Sequence, residues 1–314
     1  MTTTPLAFVF PGQGSQTVGM LDAWGDHPAV RDTLAEASAA LGEDLGALIA
    51  QGPKEQLDLT TNTQPVMLTA SVAAWRAWRA EGGALPAAVA GHSLGEYSAL
   101  VAAGVLSLAD AVPLVRLRAQ AMQAAVPVGT GGMAAILGLP AEKVVELCAE
   151  LAAASGEVVE AANFNDPAQT VIAGSAAGIA LACEKLKAAG AKRALPLAVS
   201  APFHSSLIRP AAEALRERLA QTPLNAPQIP LIHNVDLSWA GTPDQIRDAL
   251  VRQTYSAVRW VGTVQALAAR GITHVVECGP GKVLQGLVKR IEPAMTTAGI
   301  ADPASLADTR ALLG

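Results

Sequence analysis

Short apolar runs that alternate with longer helical patterns restrict this chain to few folds. Four of these runs have the length of buried strands and end at turn-forming residues. They span residues 6–10, 87–90, 230–233 and 273–277. Alternation of strands with helices indicates a parallel sheet, because parallel neighbours need a helical crossover. The pattern therefore predicts an α/β fold with a mostly parallel sheet that helices cover on both faces.

The middle of the chain has a different order of elements. Strands are predicted over residues 133–139, 158–162, 170–173 and 194–197, and helices over 141–154 and 175–189. This β-α-β-β-α-β order is typical of a ferredoxin-like unit. Turn-forming residues at 129–132 and 196–202 bracket it. We therefore predict a ferredoxin-like domain over residues 129–198, inserted into a larger α/β domain of residues 1–128 and 199–314, with a ligand cleft between them.

Composition and charge exclude several classes of protein. The net charge of −5 is mild, whereas a dedicated nucleic-acid binder is clearly basic. No apolar run approaches the roughly 18 residues of a membrane span, and the N-terminal residues lack the basic region of a signal peptide. Cys148, Cys183 and Cys278 have neither metal-ligand nor disulfide spacing. We expect a soluble cytoplasmic protein that binds no metal, membrane or nucleic acid.

A candidate nucleophile lies between the second predicted strand and the helix that follows it. Gly91-x-Ser93-x-Gly95 matches the nucleophile elbow, a sharp turn that exposes a serine hydroxyl and needs glycines for close backbone approach. The N–H of Leu94 at the helix start is free to donate to an oxyanion. A second donor is expected from the glycine-flanked turn at Gln13, which follows the first strand. Ordinary tight turns remain the alternative at both places.

A serine hydroxyl needs a general base, and one of the five histidines fits best. His204 follows the predicted insert directly, which returns it to the cleft. His92 precedes the serine on a strand, so its side chain should point away. His27 lies in a polar stretch and is expected at the surface, whereas His233 and His274 lie in or beside apolar strands and are expected in the core.

One arginine is predicted to lie on a buried helix face. Residues 110–125 have a helical pattern, and Arg118 follows Leu114 and Val115 at the spacing of the apolar stripe, whereas Arg116 faces the opposite side. A guanidinium on a buried face needs an anion. The sequence leaves two interpretations open: a structural salt bridge or snorkelling side chain, or a bidentate clamp for a substrate carboxylate.

Seven stretches of the chain together resemble one known family. They are FVFPGQGSQTVGM, TQPVMLTASVA, AGHSLGEYSALVAAGV, NFNDPAQTVIAG, GAKRALPLAVSAPFHS, IRDALVRQTYSAVRW and ECGPGKVLQGL. The chain resembles the malonyl-CoA:acyl carrier protein transacylases from about residue 8 to residue 290. The resemblance implies a hydrolase-like α/β domain that carries a ferredoxin-like insert, in agreement with the pattern of elements.

The resemblance also implies a role for each candidate residue. Ser93 would be the acylated nucleophile and His204 its base. The backbone N–H groups of Gln13 and Leu94 would form the oxyanion hole, and Arg118 would bind the malonyl carboxylate. The implied partners are malonyl-CoA and an acyl carrier protein that brings its own phosphopantetheine, so no cofactor is expected.

Two further residues take implied roles from the resemblance. The backbone carbonyl of Gln253 would orient His204, where hydrolases use an aspartate, and Asn163 would lie beside the site. With no anionic partner, the pKa of His204 is not expected to be strongly raised, and we expect it in the ordinary range of about 6 to 7.

Three alternative functions share parts of this pattern. Polyketide-synthase acyltransferase domains have the same motifs, and Phe203 before His204 resembles their malonyl-selective members. The length of the chain favours a stand-alone enzyme of fatty-acid synthesis. A serine esterase or thioesterase would use the same elbow with water as acceptor. A non-catalytic protein that docks carrier proteins is the third alternative, and the joint presence of Ser93, His204 and Arg118 argues against it.

Overall fold

A computed structural model describes residues 5–314 as helices around two separate sheets. Eight strands lie in this range: β1 (Leu6–Phe10), β2 (Ala88–Gly91), β3 (Gly131–Leu137), β4 (Val159–Asp166), β5 (Gln169–Ser175), β6 (Arg193–Pro196), β7 (His274–Cys278) and β8 (Thr296–Ile300). The α-helices of the same range are α1 (Pro28–Leu41), α2 (Leu45–Gln51), α3 (Lys54–Leu57), α4 (Thr60–Ala80), α5 (Gly95–Ala102), α6 (Leu108–Ala124), α7 (Ala141–Ser155), α8 (Ala176–Ala188), α9 (Arg209–Gln221), α10 (Pro243–Tyr255), α11 (Trp260–Ala269), α12 (Val283–Ile291) and α13 (Pro303–Leu313).

The first sheet is parallel and has the order β2-β1-β7-β8. Its central strand β1 is fully buried, and its side chains alternate between two cores. Phe8 and Phe10 face the core that includes α4 and α6, whereas Ala7 and Val9 face the core that includes α11 and α12. Phe8 packs edge-on against Trp75, with ring centroids 5.3 Å apart. The predicted α/β class with helices on both faces is confirmed.

The second sheet is antiparallel, and its strands come from residues 131–196. The order β4-β5-β3-β6 is that of a ferredoxin-like sheet. Ile136 on one face packs in a core with α7 and α8, whereas Met133 on the other face packs with Met122 of α6 and with Phe203. The domain boundaries at 128/129 and 198/199 stay a prediction, and residues 1–4 of the first predicted range lie outside the described residues.

The strand predicted over residues 230–233 is wrong as a regular element. The segment runs beside β2, where Val89 N donates to Pro230 O at 2.8 Å and Ile232 N donates to Val89 O at 3.4 Å. It makes only isolated bridges, because Pro230 has no N–H and the chain turns back at His233, whose N–H donates to Ser238 O. Strand β8 was not predicted, because its threonines and glycine give no apolar run.

No helix of residues 5–314 is long and apolar enough to cross a membrane.

Close backbone contact holds the turn between β2 and α5. A Cβ added at Gly91 would overlap the backbone of Gly95, and one added at Gly95 would overlap the carbonyl oxygen of Phe10. Both obstacles are backbone atoms, which cannot rotate away as a side chain can. The two glycines therefore let the turn lie directly against the end of β1.

We expect Gly95→Ala to lower the free energy of unfolding by about 2 kcal/mol or more, because the added methyl must displace backbone. Gly132→Ala is the control, since its nearest neighbour would be Ile179 Cγ1 at 3.9 Å; it should change that free energy by less than about 1 kcal/mol. Urea unfolding of both variants measures the difference. Equal effects would show that close packing does not account for the glycine.

Candidate active site

Ser93 occupies the tight turn between β2 and α5 in a strained conformation. Its φ of 53° lies in the left-handed region, which costs a residue with a side chain about 1–3 kcal/mol. Its N–H donates to Asn234 Oδ1 at 2.7 Å, and the Nδ2 of the same amide donates to Gly91 O at 2.7 Å. Asn234 thus bonds the backbone on both sides of the turn and stabilises the strained residue.

His204 contacts Ser93 through one ring nitrogen and the backbone of α10 through the other. Its Nε2 lies 2.7 Å from Ser93 Oγ, and its Nδ1 lies 2.9 Å from Gln253 O. A carbonyl oxygen only accepts, so Nδ1 carries the proton and Nε2 is left as the acceptor for the serine hydroxyl. His204 is itself strained, with φ 61°. The neutral tautomer required of a general base is therefore the one that the surroundings favour.

The pKa of His204 differs from the ordinary value expected from the sequence. Burial first, and then the positive charge of Arg118, lower the pKa of His204 to about 3. The side chain is almost completely enclosed, with 4% of the residue exposed. The pKa of His204 is not raised, as expected, but the ordinary range expected from the sequence was wrong, because neither the burial nor the distance to Arg118 can be read from the residue pattern.

Arg118 is buried next to the serine and lacks a carboxylate partner among residues 5–314. It is 1% exposed. Its Nη1 donates to Gln64 Oε1 at 2.8 Å, and its Nη2 donates to Gln253 Oε1 at 2.9 Å and to Ser93 Oγ at 3.2 Å. Its Nε makes no hydrogen bond within the described chain. The amide oxygens satisfy part of the guanidinium, and its charge is left available to an anion that reaches Ser93.

Two backbone N–H groups near the serine are uncommitted. Neither Gln13 N nor Leu94 N donates to an acceptor in the described residues, and Leu94 directly precedes α5. The loop of Gln13 lies against the elbow, because a Cβ added at Gly12 would come within 2.7 Å of His92 O. Two free donors, one in the residue after Ser93 and one in a loop that lies against the elbow, are what an oxyanion hole requires.

Asn163 was predicted to lie beside the site, but the asparagine whose side chain bonds the residue before Ser93 is Asn165. Asn163 is buried in β4, where its backbone forms a bridge to Val258. Asn165 Oδ1 lies 2.8 Å from His92 Nε2. His92 thus bonds Asn165 and makes no hydrogen bond to Ser93, in line with the expected orientation of its side chain.

The expectations for two other histidines need correction. His27 is partly buried, because its ring packs edge-on against Trp24 at the start of α1, with centroids 5.6 Å apart. His274 is partly exposed, since it is the first residue of β7 at the end of the sheet. His233 is buried, as expected, and its Nδ1 bonds Glu96 Oε1 at 2.7 Å.

Sequence reasoning missed three residues that surround the reacting groups, namely Gln64, Glu96 and Asn234. A signal existed for Glu96, because it is the one charged residue of the mostly apolar helix GEYSALVA. Like Arg118, a charged side chain in a buried helix needs partners that compensate its charge. Asn234 gave no such signal, because its position depends on the turn that follows Ile232.

The fold and the site define a class of protein. An α/β fold with an elbow serine bonded to a neutral histidine is the arrangement of enzymes that form acyl-serine intermediates. The acyl transferase domain family matches residues 7–302 of this chain. The malonyl CoA-acyl carrier protein transacylase of Escherichia coli K12 is 55% identical over 97% of this chain and 98% of its own length.

Solved structures agree with this match. The acyl-carrier-protein S-malonyltransferase of Burkholderia pseudomallei 1710b is 61% identical, covers 98% of this chain and 99% of its own, and superposes with a TM-score of 0.96. A malonyl-transacylase solved in complex with its type II polyketide acyl-carrier protein is 50% identical, with 97% of this chain and 98% of that chain covered and a TM-score of 0.94. The chain therefore belongs to the acyl transferase family, among the malonyl CoA-acyl carrier protein transacylases.

We expect the imidazole of His204 to stay neutral from pH 8 down to about pH 5, because burial and Arg118 lower its pKa to about 3. Its ability to accept the serine proton is lost only when acidification protonates it. The unfolded chain has a histidine pKa of about 6.5, so acidification from about pH 6.5 to pH 3 also favours unfolding through this group. Histidine-labelled NMR titration, assigned with His204→Ala, measures the midpoint. A midpoint between pH 6 and 7 would contradict the burial argument.

Proposed function

We propose that this chain transfers a malonyl group from malonyl-CoA to the phosphopantetheine thiol of an acyl carrier protein, through an ester on Ser93. The observation that carries the proposal is that two side chains, those of His204 and Arg118, converge on Ser93 Oγ. His204 Nε2 lies 2.7 Å from this oxygen and Arg118 Nη2 lies 3.2 Å from it. A neutral base supports nucleophilic attack, and a buried cation at the same atom supports a substrate with a negative charge close to its reacting carbon.

The first half-reaction loads the serine. Ser93 Oγ attacks the thioester carbonyl carbon while its proton passes to His204 Nε2. The carbonyl oxygen becomes an oxyanion, which the N–H groups of Gln13 and Leu94 stabilise. The carbon–sulfur bond then breaks, the thiolate of coenzyme A takes the proton from His204, and the malonyl-serine ester remains.

The second half-reaction runs the same steps with another thiol. The phosphopantetheine thiol gives its proton to His204 and attacks the ester carbonyl. The oxyanion forms again in the same hole. The carbon–oxygen bond breaks, Ser93 Oγ recovers the proton from His204, and the malonyl thioester leaves on the carrier protein. Gln253 O orients the imidazole in both halves because it accepts from Nδ1, 2.9 Å away.

The distance between Arg118 and the serine favours a short dicarboxylic acyl group. Malonyl has one methylene between its reacting carbonyl and its carboxylate, so its counter-ion must lie beside the nucleophile. Arg118 Nη2 is 3.2 Å from Ser93 Oγ. The carboxylate would replace Ser93 Oγ as the acceptor and would also meet the unbonded Nε.

The names of the relatives support the donor and the acceptor of the proposed reaction. The Escherichia coli relative is named for both malonyl-CoA and acyl carrier protein, and one solved relative was captured with a carrier protein. We propose the same two partners here. The proposed steps need only the side chains and backbone groups of this chain and the two thiols, with no resident cofactor and no metal.

After incubation of the wild type with malonyl-CoA, intact-protein mass spectrometry should detect a malonyl adduct of about 86 Da, the mass that the acyl group adds to the serine. We expect Ser93→Ala to abolish this adduct. The matched control is Ser98→Ala on α5, whose buried Oγ bonds nothing in the described chain. It should keep the adduct. Rapid release of free malonate without an adduct would favour a hydrolase, and an adduct on Ser93→Ala would exclude this nucleophile.

We expect Arg118→Ala to lower kcat/KM for malonyl-CoA by about 30- to several-thousand-fold, because the substrate carboxylate would enter a buried site without a counter-ion. Acetyl transfer should hold or rise, since an unpaired charge has gone. Arg116→Ala on the same helix is the control for loss of a charge. Arg116 Nη2 lies 2.6 Å from Glu43 Oε2, and Arg116 makes no hydrogen bond to the serine. Equal loss of both activities in Arg118→Ala would make Arg118 a structural residue.

A further inference from the structure

A buried carboxylate that the proposed mechanism does not use lies beside the reacting residues. Glu96, in the first turn of α5, has no exposed surface. Its Oε1 accepts from His233 Nδ1 at 2.7 Å. Its Oε2 accepts from Gln253 Nε2 at 2.8 Å and from Asn234 N at 3.2 Å. One carboxylate thus binds three donors from two segments of the chain outside its own helix.

The bond to Gln253 connects Glu96 with the base and with the arginine. A carboxylate only accepts, so it fixes which end of the Gln253 amide carries the NH2 group. Nε2 faces Glu96 and also donates to Ser93 O at 3.0 Å, whereas Oε1 accepts from Arg118 Nη2 at 2.9 Å. The backbone carbonyl of the same residue accepts from His204. Holding this one glutamine therefore orients both partners of Ser93 Oγ.

The bond to Asn234 connects Glu96 with the nucleophile. Asn234 N donates to Glu96, while its side-chain Oδ1 accepts from Ser93 N at 2.7 Å. Ser93 and His204 both adopt left-handed backbone, with φ of 53° and 61°. Such conformations persist only where the surroundings hold them in place. Both strained residues are held by a residue that bonds Glu96.

We propose that Glu96 is a positioning residue of the transfer reaction, whose carboxylate holds Gln253 and Asn234 so that Ser93, His204 and Arg118 stay in reacting geometry. The inference rests on the proposed function. It differs from a purely structural pairing of Glu96 with His233, which would stabilise the fold without acting on the rate of acylation. The two roles separate when the rate of a folded variant is measured.

The first test is Glu96→Gln in single-turnover acylation by malonyl-CoA. Glutamine keeps the shape, but it offers one acceptor where three donors now converge, so the amides that it holds must rearrange. A hydrogen bond to a charged group contributes roughly 10- to 100-fold, and we expect the acylation rate constant to fall by that factor. The dissociation constant of malonyl-CoA, taken from the concentration dependence of the rate, should change less than about threefold, because Glu96 makes no hydrogen bond to Ser93 Oγ or to Arg118.

Glu277→Gln is the matched control for loss of a buried carboxylate. Glu277 has no exposed surface and accepts from Gln285 N at 3.0 Å, in contact with none of the proposed site residues by hydrogen bond. Its acylation rate constant should stay within about twofold of wild type. A similar fall in both variants would mean that any buried glutamate supports the rate through stability alone, which would overturn the proposal.

The second test is Gln253→Met, which leaves Glu96 in place but removes the amide that connects it to Arg118. We expect a fall of about tenfold or more in the acylation rate constant. In this background the further effect of Glu96→Gln should be smaller than in the wild type, because the route through Gln253 is gone and only the bond to Asn234 remains. A full, additive effect in the double variant would overturn the proposal. A Gln253→Met rate within twofold of wild type would do so even where Glu96→Gln does not fold.

Wild-type protein in the same experiment separates this inference from the proposed function. Absence of any malonyl adduct on the wild type contradicts the proposed function. If the wild type forms the adduct, and Glu96→Gln and Gln253→Met form it at the same rate, only the proposed role of Glu96 is contradicted.

Discussion

The buried positive charge of Arg118 is the constraint on which the candidate site depends. Burial lowers the pKa of Arg118, whereas Tyr97 and Glu96 raise it. Amide oxygens of Gln64 and Gln253 receive its N–H groups, but no carboxylate of the described chain pairs with it. The same charge helps keep His204 neutral. Under the proposed function, one cation therefore affects both the protonation state of the base and the kind of acyl group that the site binds.

Ser93 Oγ and His204 Nε2 lie close together, with both residues in strained conformations and the elbow in close backbone packing. Ser93 and His204 come from segments 111 residues apart, and each has a left-handed φ. Glycines at 91 and 95 allow the elbow to lie against β1, and Asn234 binds its backbone. The proposed nucleophile thus follows β2 of the parallel sheet, whereas the proposed base lies in the loop after β6 of the antiparallel sheet. The 2.7 Å contact between Ser93 Oγ and His204 Nε2 therefore joins segments that follow strands of two different sheets.

Local patterns in the sequence were enough for the fold class and for the main candidates. The buried run at 6–10 predicted β1, the glycines around Ser93 predicted the elbow, and the apolar spacing singled out Arg118. Properties that depend on contacts between segments far apart in the sequence could not be predicted from local patterns. The pKa of His204 depends on burial by several segments, and Asn234 reaches Ser93 across 141 residues of chain. Residues 230–233 failed as a strand because Pro230 has no N–H to donate and because the chain turns back at His233, a turn that the apolar run itself does not reveal.

The partner of His204 Nδ1 explains why a carbonyl is suitable where many serine enzymes have a carboxylate. An aspartate there would orient the ring, but it would also raise the pKa of His204 and neutralise the charge of the nearby arginine. The carbonyl of Gln253 orients the ring without a net charge. The nearest bonded carboxylate, Glu96, reaches Arg118 only through the Gln253 amide. Under the two proposals, this spacing lets Glu96 order the site and leaves the guanidinium for the carboxylate of the substrate.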